Sequence, residues 1–382
     1  MSLKGKLKDK PAHLKTTLAA AMRAENLDAV IAMSPENFLH LAGVHVASQR
    51  LIRERLAIAV YTATGDPFLV VSSVVANTVR RDAWVSDVVV WTEHETTPIQ
   101  SLASELERRG LGKGHLGIEK QYLAAEYFED LAATASGAAW EDCEAILNRS
   151  RMVKTPDEIE LMRHNAIAAE RAIWAGFMYT VEGTTEKQIA DRMRTSLYEL
   201  GGDYSPFMSL AAGKHSGEHH AVPGEYKVQN NDIVAVDMVG LFGGYYSDYA
   251  RMAVAGKPSD LQRKVWQSVI DIQRQVMRDA VPGVSAETLA INAEQYANET
   301  GYPLDINLVG HSLGIGLHEY PPLTRGCTEP LVENMTMCIE ILVQEPEQGR
   351  FHVEDLVHVA DPAGATRLTT YFDTSELYRI HL

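Results

Sequence analysis

The chain has 382 residues, 46% hydrophobic and 23% charged, an ordinary globular balance with length enough for two domains and a large core. Its formal net charge of −16 argues against nucleic acid and anionic membrane surfaces as partners. No apolar run reaches the roughly 18 residues a spanning helix needs, and three widely spaced cysteines, Cys143, Cys327 and Cys338, suit a reducing, cytoplasmic compartment better than a disulfide framework or zinc knuckle.

The opening residues contain no apolar stretch of the signal-peptide kind. An amphipathic pattern predicts a helix from about Pro11 to Asn26, followed by a strand over Ala29 to Ser34 and a second helix ending at Gly43. Apolar runs at 56–63, 67–73, 85–93 and 116–119 read as strands, with a hairpin turn at Gly65-Asp66-Pro67. Helical patterns occupy 98–109 and the stretch from Tyr122. Together these make a mixed α/β domain over residues 1–147. A second domain, 148–382, opens on a strong helix start. Thr155 is a natural N-cap, Pro156 suits the first helical position, and Glu158 completes a capping box. That helix runs to about Tyr179, and another begins after Gly183-Thr184-Thr185. Strands dominate from Phe207 to Asp248. Helices follow at Ser259 to Asp279 and Ser285 to Thr300, then strands at Met335 to Val343 and Phe351 to Ala360. Two helices followed by strands, twice over, hint at an internal duplication.

The chemistry gathers in the second domain. Asp237 ends a buried-strand pattern, and Asp248 lies on the return strand beyond a Gly243-Gly244 turn, so the two carboxylates can be neighbours across a sheet. Solvated hairpin aspartates are the simpler account of that pair alone. His311 and His318 lie in a glycine-rich stretch, and Glu340 and Glu354 each interrupt an apolar strand. Each residue alone is weak evidence. Four carboxylates and an imidazole at apolar-flanked positions are costly to bury unless something positive neutralises them. Divalent cations of the Mn, Co, Zn or Fe type accept such mixed donors, so the five residues point to a two-metal hydrolase.

In this order, Asp, Asp, His, Glu, Glu, the sequence resembles the pita-bread metallopeptidase family that includes prolidase, aminopeptidase P and creatinase. DIVAVDMVG, GYYSDYAR, GHSLGIGLHEYP, IE and VED carry the resemblance, with EHHAVPG, RMVKTPDEIELMR and SPENFLHLAGV upstream. The resemblance implies an α+β fold: a curved antiparallel sheet with helices outside, preceded by a smaller creatinase-like α/β domain. It implies two divalent metal ions, with Asp237 on one, Asp248 and Glu354 bridging, and His311 and Glu340 on the other. Glu340 would also carry a proton, and His220 and His318 would support substrate and oxyanion. It further implies a homodimer in which the N-terminal domain borders the partner's active site. Trp84, Trp91, Arg53 and Arg55 are candidates for a lid or interface, against a simpler reading as ordinary core and surface.

Four positions depart from the family pattern. Ser312 follows the ligand His in place of Gly, Ala250 stands for Thr, Ile341 for Pro and His352 for Arg. None removes a metal donor. The expected activity is hydrolysis of short peptides at the N-terminal end, as by an Xaa-Pro dipeptidase. The alternative substrate is a small zwitterion of the ectoine, creatine or sulfonium kind, and a non-catalytic binding protein is the third reading.

Overall fold

The computed structural model describes residues 3 and 5–382, with backbone alone for Asp361. The first positions of the N-terminal reading, 1, 2 and 4, lie outside the described residues. The chain separates into two compact units, residues 1–151 and 152–382.

The first unit contains helices α1 (Lys10–Ala24), α2 (Pro35–Ala42), α3 (Ala47–Leu51), α4 (Ala76–Asp82), α5 (Pro98–Arg108), α6 (Ala125–Thr134) and α7 (Glu144–Met152). Its strands are β1 (Ala29–Ala32), β2 (Ile58–Thr62), β3 (Phe68–Ser72), β4 (Val88–Trp91), β5 (His115–Ile118) and β6 (Ala139–Asp142). They form one sheet in the order β4-β3-β2-β1-β5-β6, antiparallel across β1–β2 and β2–β3 and parallel elsewhere. β1 reads as an unbroken apolar run because both its faces are covered: Val30 and Ala32 enter one core, Ala29 and Ile31 the other. The first helix stops short of Asn26, which adopts a left-handed φ of 55° that asparagine tolerates. Of the proposed lid residues, Trp91 belongs to the core, and Trp84 donates its indole N–H to the Leu41 carbonyl at 2.6 Å. Arg55 pairs with Glu93 at 2.6 Å. The ordinary reading covers these three. α7 runs through Asn148, and the two units part only after Arg151.

The second unit begins with α8 (Pro156–Tyr179) and α9 (Glu186–Glu199). Both open on capping boxes, Thr155 with Glu158 and Thr185 with Gln188. Strands β7 (Tyr204–Ala212), β8 (Ile233–Phe242) and β9 (Tyr245–Ala255) follow. Gly243 and Gly244, at φ +62° and +92°, form the two-residue turn between β8 and β9; both values suit a type I′ turn that only glycine-like residues enter easily. Next come α10 (Asp260–Asp279), α11 (Ala286–Thr300), β10 (Gly310–Ser312), β11 (Glu319–Pro322), β12 (Met335–Glu345), β13 (Gly349–Asp361), β14 (Gly364–Arg367) and β15 (Tyr378–Ile380). The helix-helix-strands order occurs twice, as the sequence hints.

The expected antiparallel sheet is divided into two hydrogen-bonded sheets, β15-β9-β8-β7 and β11-β10-β12-β13-β14. Helix α10 lays Val265, Val269, Ile272 and Val276 on a core that takes the odd-numbered Met337, Ile339 and Ile341 of β12 and Phe351, Val353 and Val357 of β13. Strand alternation then sends even-numbered Cys338, Glu340, His352 and Glu354 to the opposite face. That partition is why polar residues can interrupt an otherwise apolar strand without breaking it.

Candidate metal centre

Register decides which side chains meet. In β8–β9, Asp237 lies opposite Ala250 and Asp248 opposite Val239. The two aspartates are therefore diagonal neighbours on one face, not directly opposed partners. In β12–β13, Glu340 lies directly opposite Glu354. In β10–β12, His311 lies opposite Cys338. Gly310 makes this last pairing possible: at φ +145°, a Cβ there would sit 2.0 Å from the Cys338 carbonyl oxygen.

The predicted residues converge. Carboxylate oxygens of Asp237, Asp248 and Glu354 all lie within 4.8 Å of one another. The same holds for the donor atoms of Asp248, His311 and His318, of His311, Cys338 and Glu354, and of Glu340, His352 and Glu354. His311 Nε2 is 3.8 Å from Asp248 Oδ2 and 3.5 Å from Glu354 Oε1. Its other ring nitrogen, Nδ1, meets the Ser312 carbonyl at 3.1 Å. A carbonyl can only accept, so Nδ1 carries a proton, and Nε2 is the nitrogen turned to the acidic cluster, where it offers a lone pair once the ring is neutral. That is the tautomer a metal-ligating histidine uses.

The buried carboxylates are incompletely paired. Asp237 Oδ1 and Glu354 Oε1 are buried oxygens with no hydrogen-bond donor, Glu354 being 2% exposed as a residue and Asp237 half-buried. Unpartnered buried carboxylate oxygens are expensive, and carboxylate oxygens with an imidazole nitrogen are the donor chemistry of hard and borderline divalent cations.

Residues 160–361 match the model of metallopeptidase family M24, and residues 16–153 match the Creatinase/Prolidase N-terminal domain. The chain belongs to metallopeptidase family M24. It is a metallohydrolase, and the family implies divalent metal. Among relatives, a putative dipeptidase, YkvY, from Bacillus subtilis is 27% identical over 338 residues, covering 88% of this chain and 92% of that protein. The Xaa-Pro dipeptidase of Pyrococcus furiosus is 28% identical over 256 residues, covering 66% and 73%. The solved dipeptidase PepE from Mycobacterium ulcerans superposes with a TM-score of 0.84 at 25% identity, covering 97% of this chain and 98% of that one. The prolidase from Pyrococcus horikoshii OT3, at 22% identity and a TM-score of 0.81, covers 94% and 98% and shows the shared fold.

In this M24 metallopeptidase the carboxylates strain against one another. Burial, reinforced by Glu354 and Glu340 and opposed by His352 and Arg350, pushes Asp237 up to about 7. Burial and the charges of Glu354, Asp237 and Glu340 hold Asp248 well above the usual carboxylate range. Glu340 goes the other way. Burial works upward on it, but His352, then His311 and His318, keep it below its usual value. His311 is raised: burial acts downward, and the Glu354 carboxylate outweighs it. His318 is lowered by burial and by the His311 charge. A cation among these groups removes the repulsion that raises the aspartates.

The two proposed substrate histidines lie at the margin of this group. His318 is exposed, and its ring stacks on His311 at 3.9 Å and 15°. His220 is exposed, holds a left-handed φ of 52°, and meets Phe207 edge-on at 5.1 Å. Its charge is felt at His318.

Several contributors are absent from the sequence reading. His352, noted only as a departure from the family, brings Nε2 to 2.8 Å from Glu340 Oε1, an ion-pair contact short of good hydrogen-bond direction. Cys338 shares the donor face, and the alternation C-I-E, which sets it two residues before Glu340, is the signal that could have found it. Beneath Glu354, fully buried Arg251 donates to the Glu354 carbonyl at 2.6 Å, to Glu170 at 2.6 Å and to Asp355 at 2.7 Å. Lys154 pairs with Glu319 at 2.9 Å, and Glu319 accepts the Gly316 N–H at 2.9 Å, which ties down the loop that carries His318. Ser312, in the place of glycine, turns its hydroxyl to the Thr336 carbonyl at 3.1 Å and accepts from Lys154 at 3.3 Å, on the strand face opposite the donor side. Ile341 packs into the core.

Proposed function

We propose that this metallohydrolase cleaves short peptides at the N-terminal end, with dipeptides ending in proline as the first candidates. Asp237, Asp248, His311, Glu340 and Glu354 would hold two divalent ions of the Mn, Co, Zn or Fe class. Bound there, the ions would polarise the scissile carbonyl and lower the pKa of an attacking water. The chain's own residues do the rest. Glu340, positioned by His352 at 2.8 Å, would accept the proton of the attacking water and return it to the leaving amine. His318 and His220 face the open side and can donate hydrogen bonds to the substrate and to the developing oxyanion. Lys154 and Glu319 fix the loop that aims His318. The similarity to Xaa-Pro dipeptidases supports the substrate class, and the single observation that carries the reading is the convergence of the five donors around unpartnered carboxylate oxygens.

We also propose that the N-terminal unit serves as the dimerisation domain of a homodimer and borders the partner's active site, and that the second unit is the catalytic domain. Three unpaired cysteines fit a reducing, cytoplasmic setting. No helix among the described residues is long and apolar enough to cross a membrane.

The test is a substrate panel on protein stripped of metal and reloaded with Mn, Co or Zn. Turnover of Xaa-Pro dipeptides only after reloading supports the reading. Turnover of an ectoine-, creatine- or sulfonium-type zwitterion with inert dipeptides replaces it, and no turnover of anything removes it.

A further inference from the structure

Cys338 is fully buried on the donor face of β12, two residues before Glu340 and directly across from His311. It stands diagonal to Glu354, since β12–β13 pairs Cys338 with Leu356 and Glu340 with Glu354. Its Sγ lies within 4.8 Å of the donor atoms of both His311 and Glu354, as those two do of each other. Its present contact is a weak one, 3.8 Å to the Asp248 carbonyl. Glu354 Oε1, in the same trio, is buried and without a donor. The trio thus consists of an imidazole nitrogen, a buried carboxylate oxygen that no donor meets in good hydrogen-bond geometry, and a sulfur, each within reach of a common point.

We propose that Cys338 is a sulfur donor to the cation held by His311 and Glu354, and that it biases this half of the centre towards thiophilic divalent ions, zinc and cobalt, over manganese. The inference rests on the reading of the cluster as a metal centre. Sulfur ligands favour softer ions, whereas an all-oxygen and nitrogen set leaves the choice to availability. A thiol next to a divalent cation binds as thiolate, so the donor adds charge as well as softness. The neighbouring geometry suits the purpose: His311 is fixed by the Ser312 carbonyl, and Glu354 is braced from beneath through its own carbonyl by Arg251.

The experiment uses the full-length protein loaded with cobalt(II). Absorption spectra are read alongside metal content, and the zinc-to-manganese affinity ratio is measured by competition. The expected result is a thiolate-to-cobalt charge-transfer band in the near ultraviolet. The band should vanish in C338S and C338A while cobalt remains bound, and persist in C143S and C327S. The affinity ratio should fall on the order of 10–100-fold in C338S, the scale by which supporting groups alone tune metal sites. Bound cobalt without the band, together with an unchanged ratio in C338S, overturns the proposal and leaves the metal centre standing. Failure of the unaltered protein to bind cobalt removes both. Circular dichroism of C338S and C338A, two substitutions of different polarity, separates loss of a donor from loss of fold.

Discussion

Asp248 and Asp237 share one strand-pair face with Glu354 close by, and burial raises both aspartates above their ordinary range. The consequence is a stability slope in chelated protein. Folded Asp237 keeps its proton to about pH 7, whereas the unfolded chain releases it near 3.8. Across that window the folded state binds more protons, so stability falls as pH rises. Thermal melts of chelated protein should show the midpoint dropping between about pH 4 and pH 7, and Asp237→Asn should flatten the drop. An unchanged slope in the variant would mean that the carboxylate is not buried among like charges. The same logic makes Asp248→Asn neutral or stabilising without metal. With metal at a hundredfold excess over Kd, the unaltered protein should gain about 2.7 kcal/mol. Asp248→Asn should gain little, as read from melting with and without Mn. At this scale the donor residues were legible because strand periodicity exposes a carboxylate that interrupts an apolar run. The role of His352 was not. Its partner Glu340 lies on another strand, and the pairing depends on the register set by the turn at 346–348, which composition does not reveal.

The elements hold the donors through a few non-local contacts. Arg251 on β9 joins Glu170 of α8 and Asp355 of β13 with both side chains fully buried. Removing one member of such a network leaves unpaired buried charge, at a cost of about 3–5 kcal/mol. Arg251→Gln should therefore destabilise by that order in urea melts and weaken metal binding through Glu354. A loss under about 1 kcal/mol would show the network to be idle. Gly310→Ala should cost on the order of 1–3 kcal/mol for a strained backbone, and more once the contact with the Cys338 carbonyl is counted, because β10 cannot then pair with β12 and carry His311 to its place. The long helices were readable from their caps: Thr155, Thr185, Ser259 and Ser285 all accept the expected backbone N–H. The three- and four-residue strands β10, β11, β14 and β15 were not. They carry too few residues for a period; β10 and β15 pair with the distant β12 and β9, while β11 and β14 pair with their neighbours β10 and β13 across irregular registers.

At the scale of the chain, the N-terminal unit builds its own two-faced core, and the C-terminal unit collects every donor from five strands that span 237 to 354. Metal binding should therefore stabilise the second unit selectively. Hydrogen exchange with and without Mn should show added protection in β8, β9, β10, β12 and β13, and little change across residues 1–151. Equal protection in both units would contradict a centre built from the second alone. The family resemblance made the two-part organisation and the catalytic scaffold visible from sequence, whereas the split of its sheet into four- and five-stranded parts depends on hydrogen-bond continuity between strands far apart in the chain.

The most direct measurement is anomalous diffraction from crystals of the protein loaded with manganese or cobalt. Two adjacent peaks are expected, each touching side chains from the set Asp237, Asp248, His311, Glu340 and Glu354, with Asp248 and Glu354 shared between them. Density for metal elsewhere only, or none beside these five residues in well-ordered crystals grown with excess ion, would contradict the account.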